Sequence, residues 1–294
     1  MATLSAAVLV SSCLGLVGAA ANVPARIDRY LATKDQAEHN GITLQAAMSA
    51  PVNIVREGPR SFIDNPLRYD YEAAFNALRA MEPRFVVGSS LEMATFIFFP
   101  AIFFIYGCSL AVADLRQGLL SQRLELEGSK AVFIGKVATS VTVPMVAVPL
   151  STAILSGLAI MMRVFMKPAG SENFPYFVEY SPASSNPVLQ ATFSVLVATS
   201  FCLIGLFVGA ASRMLLLPSL ACVLVLMILP FVGGGDPRNL MATIGRSVFN
   251  YWSGFNPNAP LPAESWLLWV PTVVLASTLG VGSFTIWVRR SKSS

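Results

Sequence analysis

One hydrophilic segment of the chain, residues 114–136, concentrates the side chains best suited to bind a partner. Among its charged and hydroxyl side chains, the candidates for contact with a partner are Asp114, Arg116, Ser129, Lys130 and Lys136. The pattern predicts a short amphipathic helix, a turn and then the entry to a long apolar helix. Two roles suit such a segment: contact with another protein, or a plain anchor of mixed charge at a membrane surface.

The long apolar stretches around this segment lack the groups that catalysis needs. Ser151 and Ser156 have no His or Lys nearby in the sequence, and a Gly-x-Ser-x-Gly elbow does not occur. A phosphate-binding Gly-x-x-x-x-Gly-Lys-Ser/Thr loop is also missing from the sequence. We therefore expect that the chain is not an enzyme, has no catalytic residue and carries no cofactor of its own.

Glu92 and the potential metal ligands are the remaining candidates. Glu92, at the edge of an apolar stretch, is either part of a translocation path or a solvated helix start, and we favour the solvated helix start. His39 has no Cys or His partner at ligand spacing, so we expect no metal site. The four cysteines lie inside apolar stretches, as small packing residues do; they are Cys13, Cys108, Cys202 and Cys222.

Six uncharged stretches of about 20 residues each must position these groups, and each is long enough for a helix to cross a bilayer core about 30 Å thick. They are Ala2–Ala21, Met93–Ala113, Val137–Met162, Leu189–Ser212, Met214–Val232 and Ser265–Val288. With 54% hydrophobic and 12% charged residues, the composition departs from that of a soluble domain. The sequence predicts an all-α, polytopic membrane protein with six transmembrane helices.

The distribution of basic residues predicts the orientation in the cell membrane, because Lys and Arg accumulate in short loops that stay cytoplasmic. The basic residues that assign segments to the cytoplasm lie in residues 114–136, at Arg213 and in the tail with Arg289 and Arg290. Both termini are therefore expected in the cytoplasm. The net charge of +4 follows from this anchoring and gives no sign of nucleic-acid binding.

The first 21 residues have a competing interpretation as a secretory signal, because small residues at 18–21 resemble a cleavage point. The stretch lacks a positively charged start and is longer than a typical signal core, so we favour a retained first transmembrane helix. If it were cleaved, five spans would remain.

Two external segments are predicted between spans. Residues 22–91 form a small helical cap with helices over Ala25–His39 and Tyr69–Met81. The cap is a substrate gate, a receptor for an external ligand, or a lid that orders the spans, and we favour the lid. Residues 233–264 are too apolar for a solvated loop and too interrupted to span, which predicts a re-entrant or interfacial helical segment. The remaining region, 92–294, contains five spans and a basic cytoplasmic tail.

Glycines and prolines inside the spans predict local geometry. Gly205 and Gly209 lie one turn apart and allow another helix to approach closely, within this subunit in preference to a dimer seam. Pro100 removes a backbone donor from the second span and predicts a kink there.

The segment 114–136 resembles that of permeases of the type-two, exporter class of ATP-binding-cassette (ABC) transporters. These follow the second span with an acidic residue, an Arg, a Gly and a Leu pair, then a Ser-Arg or Ser-Lys step and a Gly-Lys. The matching positions are Asp114, Arg116, Gly118, Leu119, Leu120, Ser129, Lys130, Gly135 and Lys136. The resemblance covers roughly Met93–Arg290, about two-thirds of the chain.

The resemblance implies a subunit of an export complex that moves an amphipathic or lipophilic cargo outward. ATP and Mg²⁺ would then be bound by separate cytoplasmic ATPase subunits, coupled through residues 114–136, and a second permease copy or a homologue would complete the path among membrane lipids. It points to no substrate-binding residue. Two departures from the family are a nearly immediate first span and an external segment of about 70 residues after it. The alternative is a non-transporting receptor or assembly subunit whose cap binds a ligand.

Overall fold

The structure of the chain, a computed structural model, describes residues 2–57, 60–82, 85–165, 186–227, 236–252 and 255. In these ranges the protein is mostly helical. Four of its helical segments are long and apolar enough to cross a membrane: Ala6–His39, Val86–Asp114, Lys130–Leu158 and Pro187–Ser212. They correspond to the first four of the six predicted spans. The sixth, Ser265–Val288, lies outside the described residues.

Helix α1, Ala2–His39, is a single helix of 38 residues. At about 1.5 Å per residue it is roughly 57 Å long, well beyond the thickness of a bilayer core. The predicted boundary between first span and cap therefore falls inside α1, and the helix predicted over Ala25–His39 is its second half. α1 ends where Gly41, with φ of 72°, supplies a left-handed turn.

The cap consists of the second half of α1, helices α2 (Leu44–Ser49) and α3 (Pro66–Ala80), and two strands. Asn65 caps α3 by accepting a hydrogen bond from the Arg68 N–H, and Pro66 occupies the first turn, where a proline is tolerated. The helix predicted over Tyr69–Met81 is thus confirmed, with an earlier start.

Aromatic packing joins α3 to α1. The Tyr30 and Tyr71 rings lie 5.4 Å apart, edge to face, and both residues are buried with Phe75. Asp70 of α3 pairs with Arg29 of α1, with Nε and Oδ1 2.9 Å apart, and accepts a hydrogen bond of 2.7 Å from the Thr33 hydroxyl. The cap therefore has a hydrophobic core of its own.

An antiparallel hairpin corrects the all-α prediction for the cap. Strand β1, Ile54–Glu57, pairs with β2, Arg60–Ile63, in a register that sets Ile54 opposite Ile63. Both strands contain β-branched or aromatic residues, such as Val55 and Phe62, which favour extended backbone.

The second span is one helical segment with a local widening. It consists of α4 (Val86–Met93), a π-turn (Ala94–Phe98) and α5 (Phe99–Arg116). The Phe99 N–H bonds to the Ala94 carbonyl, five residues back. Pro100 has no backbone N–H to donate, and its ring would clash with the preceding turn of a regular α-helix. The wider π-turn makes room for this proline inside the span.

The rest of the bundle consists of α6 (Leu120–Glu127), α7 (Ser129–Phe165), α8 (Pro187–Ser212), α9 (Leu216–Met227) and α10 (Pro237–Val248). α9 covers the described part of the fifth predicted span and has only 12 residues. α10 lies in the segment predicted to be re-entrant or interfacial, and its 12 residues are also too few to cross a bilayer.

The two ends of the bundle are defined by the second span. Its N-terminal end adjoins α3 and the cap, and its C-terminal end leads into α6; we call these ends the cap side and the elbow side. A helix of 29 residues separates them by about 43 Å.

Candidate functional site

The candidate site is the elbow segment, residues 114–136, in which α6 connects the elbow-side ends of α5 and α7. Two glycines set the direction of the chain: Gly118, with φ of 66°, follows α5, and Gly128, with φ of 78°, ends α6. Both angles lie in the left-handed region, which favours glycine. The Gly128 N–H closes α6 on the Leu124 carbonyl at 3.1 Å. The segment is therefore a helix held between two sharp turns.

A buried lysine occupies the inner face of the elbow segment. Lys136 of α7 is 7% exposed, and its ammonium group donates to the carbonyl oxygens of Leu110 at 2.8 Å and Ala111 at 3.3 Å. Its third partner is Asp114 Oδ2, at 3.0 Å. An ammonium group has three donors, so every donor of this buried charge has an acceptor in α5.

Asp114 also binds α6. Its Oδ1 lies 3.3 Å from the Nη1 of Arg123, a residue whose guanidinium also pairs with Glu127 one turn later. These two carboxylates, Glu127 first, raise the pKa of the Arg123 guanidinium. One carboxylate therefore connects a helix end, the short helix and the start of the next span.

The outer face of α6 has a different character. Leu124 is buried at 6% exposure, whereas Leu126 is 86% exposed. Glu125, Glu127 and Lys130 are exposed beside it. An apolar side chain projecting among charged neighbours is characteristic of either a protein contact or a membrane surface.

The residues predicted from the sequence to couple to a partner fall into three groups. Asp114 and Lys136 are buried and bind each other, so neither is available at the surface. Lys130 is exposed, and Gly118 forms the turn. The backbone places Arg116 at the end of α5 and Ser129 at the start of α7, while their side chains lie outside the described part of the structure.

Gly205 and Gly209 are placed against α5 of the same chain. A Cβ atom at Gly205 would lie 2.8 Å from the Phe104 carbonyl carbon, and one at Gly209 would lie 2.8 Å from the Cys108 Cα. Gly107 of α5 meets the backbone of α8 in the same way, and sequence reasoning missed it. The sequence feature that could have identified Gly107 as a packing residue is the presence of a glycine among the bulky aromatic side chains of this span.

On the cap side, the interpretation of Glu92 as a solvated helix start is wrong. Glu92 is 2% exposed and accepts a hydrogen bond of 3.2 Å from the backbone N–H of Trp252. The Trp252 ring packs edge to face on Phe85 at 4.9 Å. The chain that follows α10 therefore folds back over α4 and covers the carboxylate, which local sequence could not reveal.

Polar contacts of α8 with the second span and with α10 lie on the same side as Glu92. The Thr95 and Ser194 hydroxyls are 2.6 Å apart and fully buried, and Gln190 donates to the Val248 carbonyl at 3.1 Å. Sequence reasoning missed these residues, although Gln190 is the single amide side chain in its predicted span. Such contacts fix the register of two apolar helices.

Within the described ranges, no group of three or more His, Cys, Asp and Glu side chains is placed to hold a metal ion. Comparison of the chain with protein-family models, with curated proteins and with solved structures finds no match.

Proposed function

We propose that this chain is the membrane-spanning permease subunit of an ATP-driven export complex of the ABC class. It crosses the cell membrane six times with both termini in the cytoplasm, and its elbow segment receives the motion of a separate ATPase subunit. ATP and Mg²⁺ bind to that partner, and this chain has no enzymatic activity.

The observation that carries the proposal is the construction of the elbow segment. A helix of eight residues, α6, lies between the ends of two apolar helices. Leu126 of α6 is exposed, and so is Lys130 in the first turn of α7. A partner that pushes on α6 acts directly on the ends of α5 and α7. This is the arrangement expected of a part that transmits force between subunits.

Basic side chains support a cytoplasmic elbow side. Arg123, Lys130 and Lys136 lie in the elbow segment, and Arg213 follows α8 at the same end of the bundle. Because Lys and Arg accumulate in cytoplasmic loops, this end faces the cytoplasm and the cap faces outward. An ATPase in the cytoplasm therefore meets the elbow segment and not the cap.

The energetic requirement on the partner is modest. To shift a two-state helical bundle from 1:99 to 99:1, the partner's nucleotide-bound form must favour one state by about 5.5 kcal/mol. Packed helices with two arrangements respond to such a bias by rigid-body movement. The cargo path forms between this subunit and a second permease copy or a homologue. The apolar helices of this chain that line the path favour an amphipathic or lipophilic cargo, such as a peptide, drug or lipid-like molecule.

The first experiment is purification of the native assembly in mild detergent. The proposal requires a stoichiometric ATPase subunit in it. An assembly that lacks one, with a ligand bound to the cap, would instead favour a non-transporting receptor or assembly subunit.

The second experiment reverses the two basic charges expected to face the partner, by Arg116→Glu together with Lys130→Glu. We expect the variant to insert normally and to retain less than a tenth of the bound ATPase. The matched control is Lys34→Glu, which changes a lysine of the cap, on the other side of the membrane. Equal ATPase retention in the charge-reversed variant and the control would contradict the assignment of this surface.

A further inference from the structure

The charged residues of the elbow segment divide into an inner and an outer set. The outer set is exposed and includes Glu125 and Lys130. The inner set, Asp114, Arg123 and Lys136, connects α5, α6 and α7 through contacts of 3.0 to 3.3 Å. Because the inner set is engaged within the chain, its role differs from contact with a partner.

We propose that Asp114 and Lys136 are positioning residues that form a fixed joint, so that α6 moves as one body with the end of α5 and the start of α7. This inference rests on the proposed function, since the joint transmits the push of the ATPase subunit. The pair binds neither ATPase nor cargo.

The geometry of α6 creates the need for a joint. An eight-residue helix is too short to be stable alone in water, and glycine turns flank it on both sides. Glycine adopts many backbone conformations at little cost, so Gly118 and Gly128 would absorb a push on α6 as local rotation. Among the described side chains of α6, residues 122–127, Leu124 is the one that is buried. A directional connection is required if displacement is to reach the spans.

The inner set supplies that connection in three directions. Lys136 fixes α7 to α5 through two carbonyls and the Asp114 carboxylate, and Arg123 fixes α6 to the same carboxylate. The joint is specific in geometry because the lysine has no remaining donor that could favour a second arrangement. A buried, fully bonded charge also resists sliding, since any displaced state leaves it partly unpaired.

The decisive variant replaces both buried charges by apolar side chains, Asp114→Leu with Lys136→Met. Removing both partners avoids an unpaired buried charge, so we expect the variant to retain the fold. It loses the ion pair between Asp114 and Arg123 of α6. Arg123→Gln is a second variant, which removes the ion pair of α6 with Asp114 and leaves the Asp114–Lys136 pair in place. The Arg123 side chain is 44% exposed. The matched control, Lys34→Met with Glu38→Gln, removes a lysine–carboxylate pair of the cap whose atoms are 3.8 Å apart.

Two pairs of spin labels in the native assembly report the outcome. The elbow pair, at Gln122 and Thr142, spans α6 and α7 at exposed positions. The cap-side pair, at Ile42 and Val188, is 47% and 72% exposed. Distances are measured without nucleotide and with ATP trapped by vanadate. In the unaltered protein and the control, we expect a narrow elbow distance that trapping leaves unchanged, and a shift of the cap-side distance.

In the apolar double variant we expect the elbow distribution to widen at least two-fold and the cap-side shift to fall at least three-fold. Arg123→Gln should reduce the shift at least two-fold. A merely structural role would lower stability and leave the nucleotide response intact. A full cap-side shift in both variants would overturn the joint. The absence of a shift in the unaltered assembly would instead overturn the proposed function, so the two failures are distinguishable.

Discussion

Replacement of Gly205 by alanine is the sharpest test of how α5 and α8 pack. The added Cβ would lie 2.8 Å from the carbonyl carbon and 2.9 Å from the Cα of Phe104. Real Cβ atoms do not approach backbone atoms this closely, and the obstacle is not the flexible end of a side chain. One of the two helices must therefore move.

The expected magnitude combines two opposing effects. Alanine stabilises a helix interior by about 1 kcal/mol relative to glycine. Overpacking of a close contact costs about 1–3 kcal/mol, and backbone displacement brings the value to the upper end of that range. The net expectation is a loss of about 2 kcal/mol in the free energy of unfolding.

Gly157→Ala is the matched control, because Gly157 lies inside α7 and a Cβ there meets no atom within 4 Å. It should be neutral or stabilising by about 1 kcal/mol. The assay is denaturant unfolding of the purified chain in detergent, followed by circular dichroism. If Gly205→Ala proves as stable as Gly157→Ala, the close contact between α5 and α8 is refuted.

Three further predictions follow from buried and hydrogen-bonded polar groups. Lys136→Met leaves the Asp114 carboxylate buried without its main partner and should cost about 3–5 kcal/mol in the same unfolding assay, more than the apolar double replacement of both residues; equal losses would contradict this. Thr95→Val keeps the shape of the side chain but removes a buried hydroxyl contact with α8, and we expect a loss of about 1 kcal/mol; no loss would show that the contact is not formed. The Asp64 carboxylate accepts two hydrogen bonds from Asn53, which lower its pKa. The ionised Asp64 carboxylate therefore stabilises the base of the hairpin fully at pH values above the ordinary aspartate pKa of about 4. This contribution is lost as the pH falls through the lowered pKa. Carboxyl NMR titration should place the Asp64 midpoint below that of the Asn53→Ala variant, and coincident midpoints would contradict the hydrogen bonds.

Apolar length and helical periodicity could be predicted from the sequence because both depend on local chemistry. Four of the predicted spans appear as long apolar helices, and α3 lies where the cap helix over Tyr69–Met81 was predicted. The continuity of α1 through residue 24 was missed, since a boundary was placed where apolar character declines. A helix can leave a membrane without ending, because its backbone is bonded internally in either environment.

Contacts between distant segments could not be predicted. Glu92 was interpreted as solvated because it lies at the edge of an apolar stretch, and 160 residues separate it from the Trp252 amide that donates to it. Asp114 and Lys136 are separated in the chain by α6 and its two flanking glycine turns. The sequence therefore showed two separate charges of a hydrophilic segment, whereas the structure has one buried ion pair. Burial of a charge depends on tertiary packing, which periodicity does not encode.

The most direct test of the account is photo-cross-linking from the outer face of α6. A photoreactive amino acid replaces Leu126, which is 86% exposed, and the native assembly is irradiated in its own membrane. The account predicts a covalent adduct with an ATP-hydrolysing subunit, formed in high yield and absent when the photoreactive residue replaces Ile42 of the cap. Adducts with lipid alone, or with a protein that does not hydrolyse ATP, would contradict it.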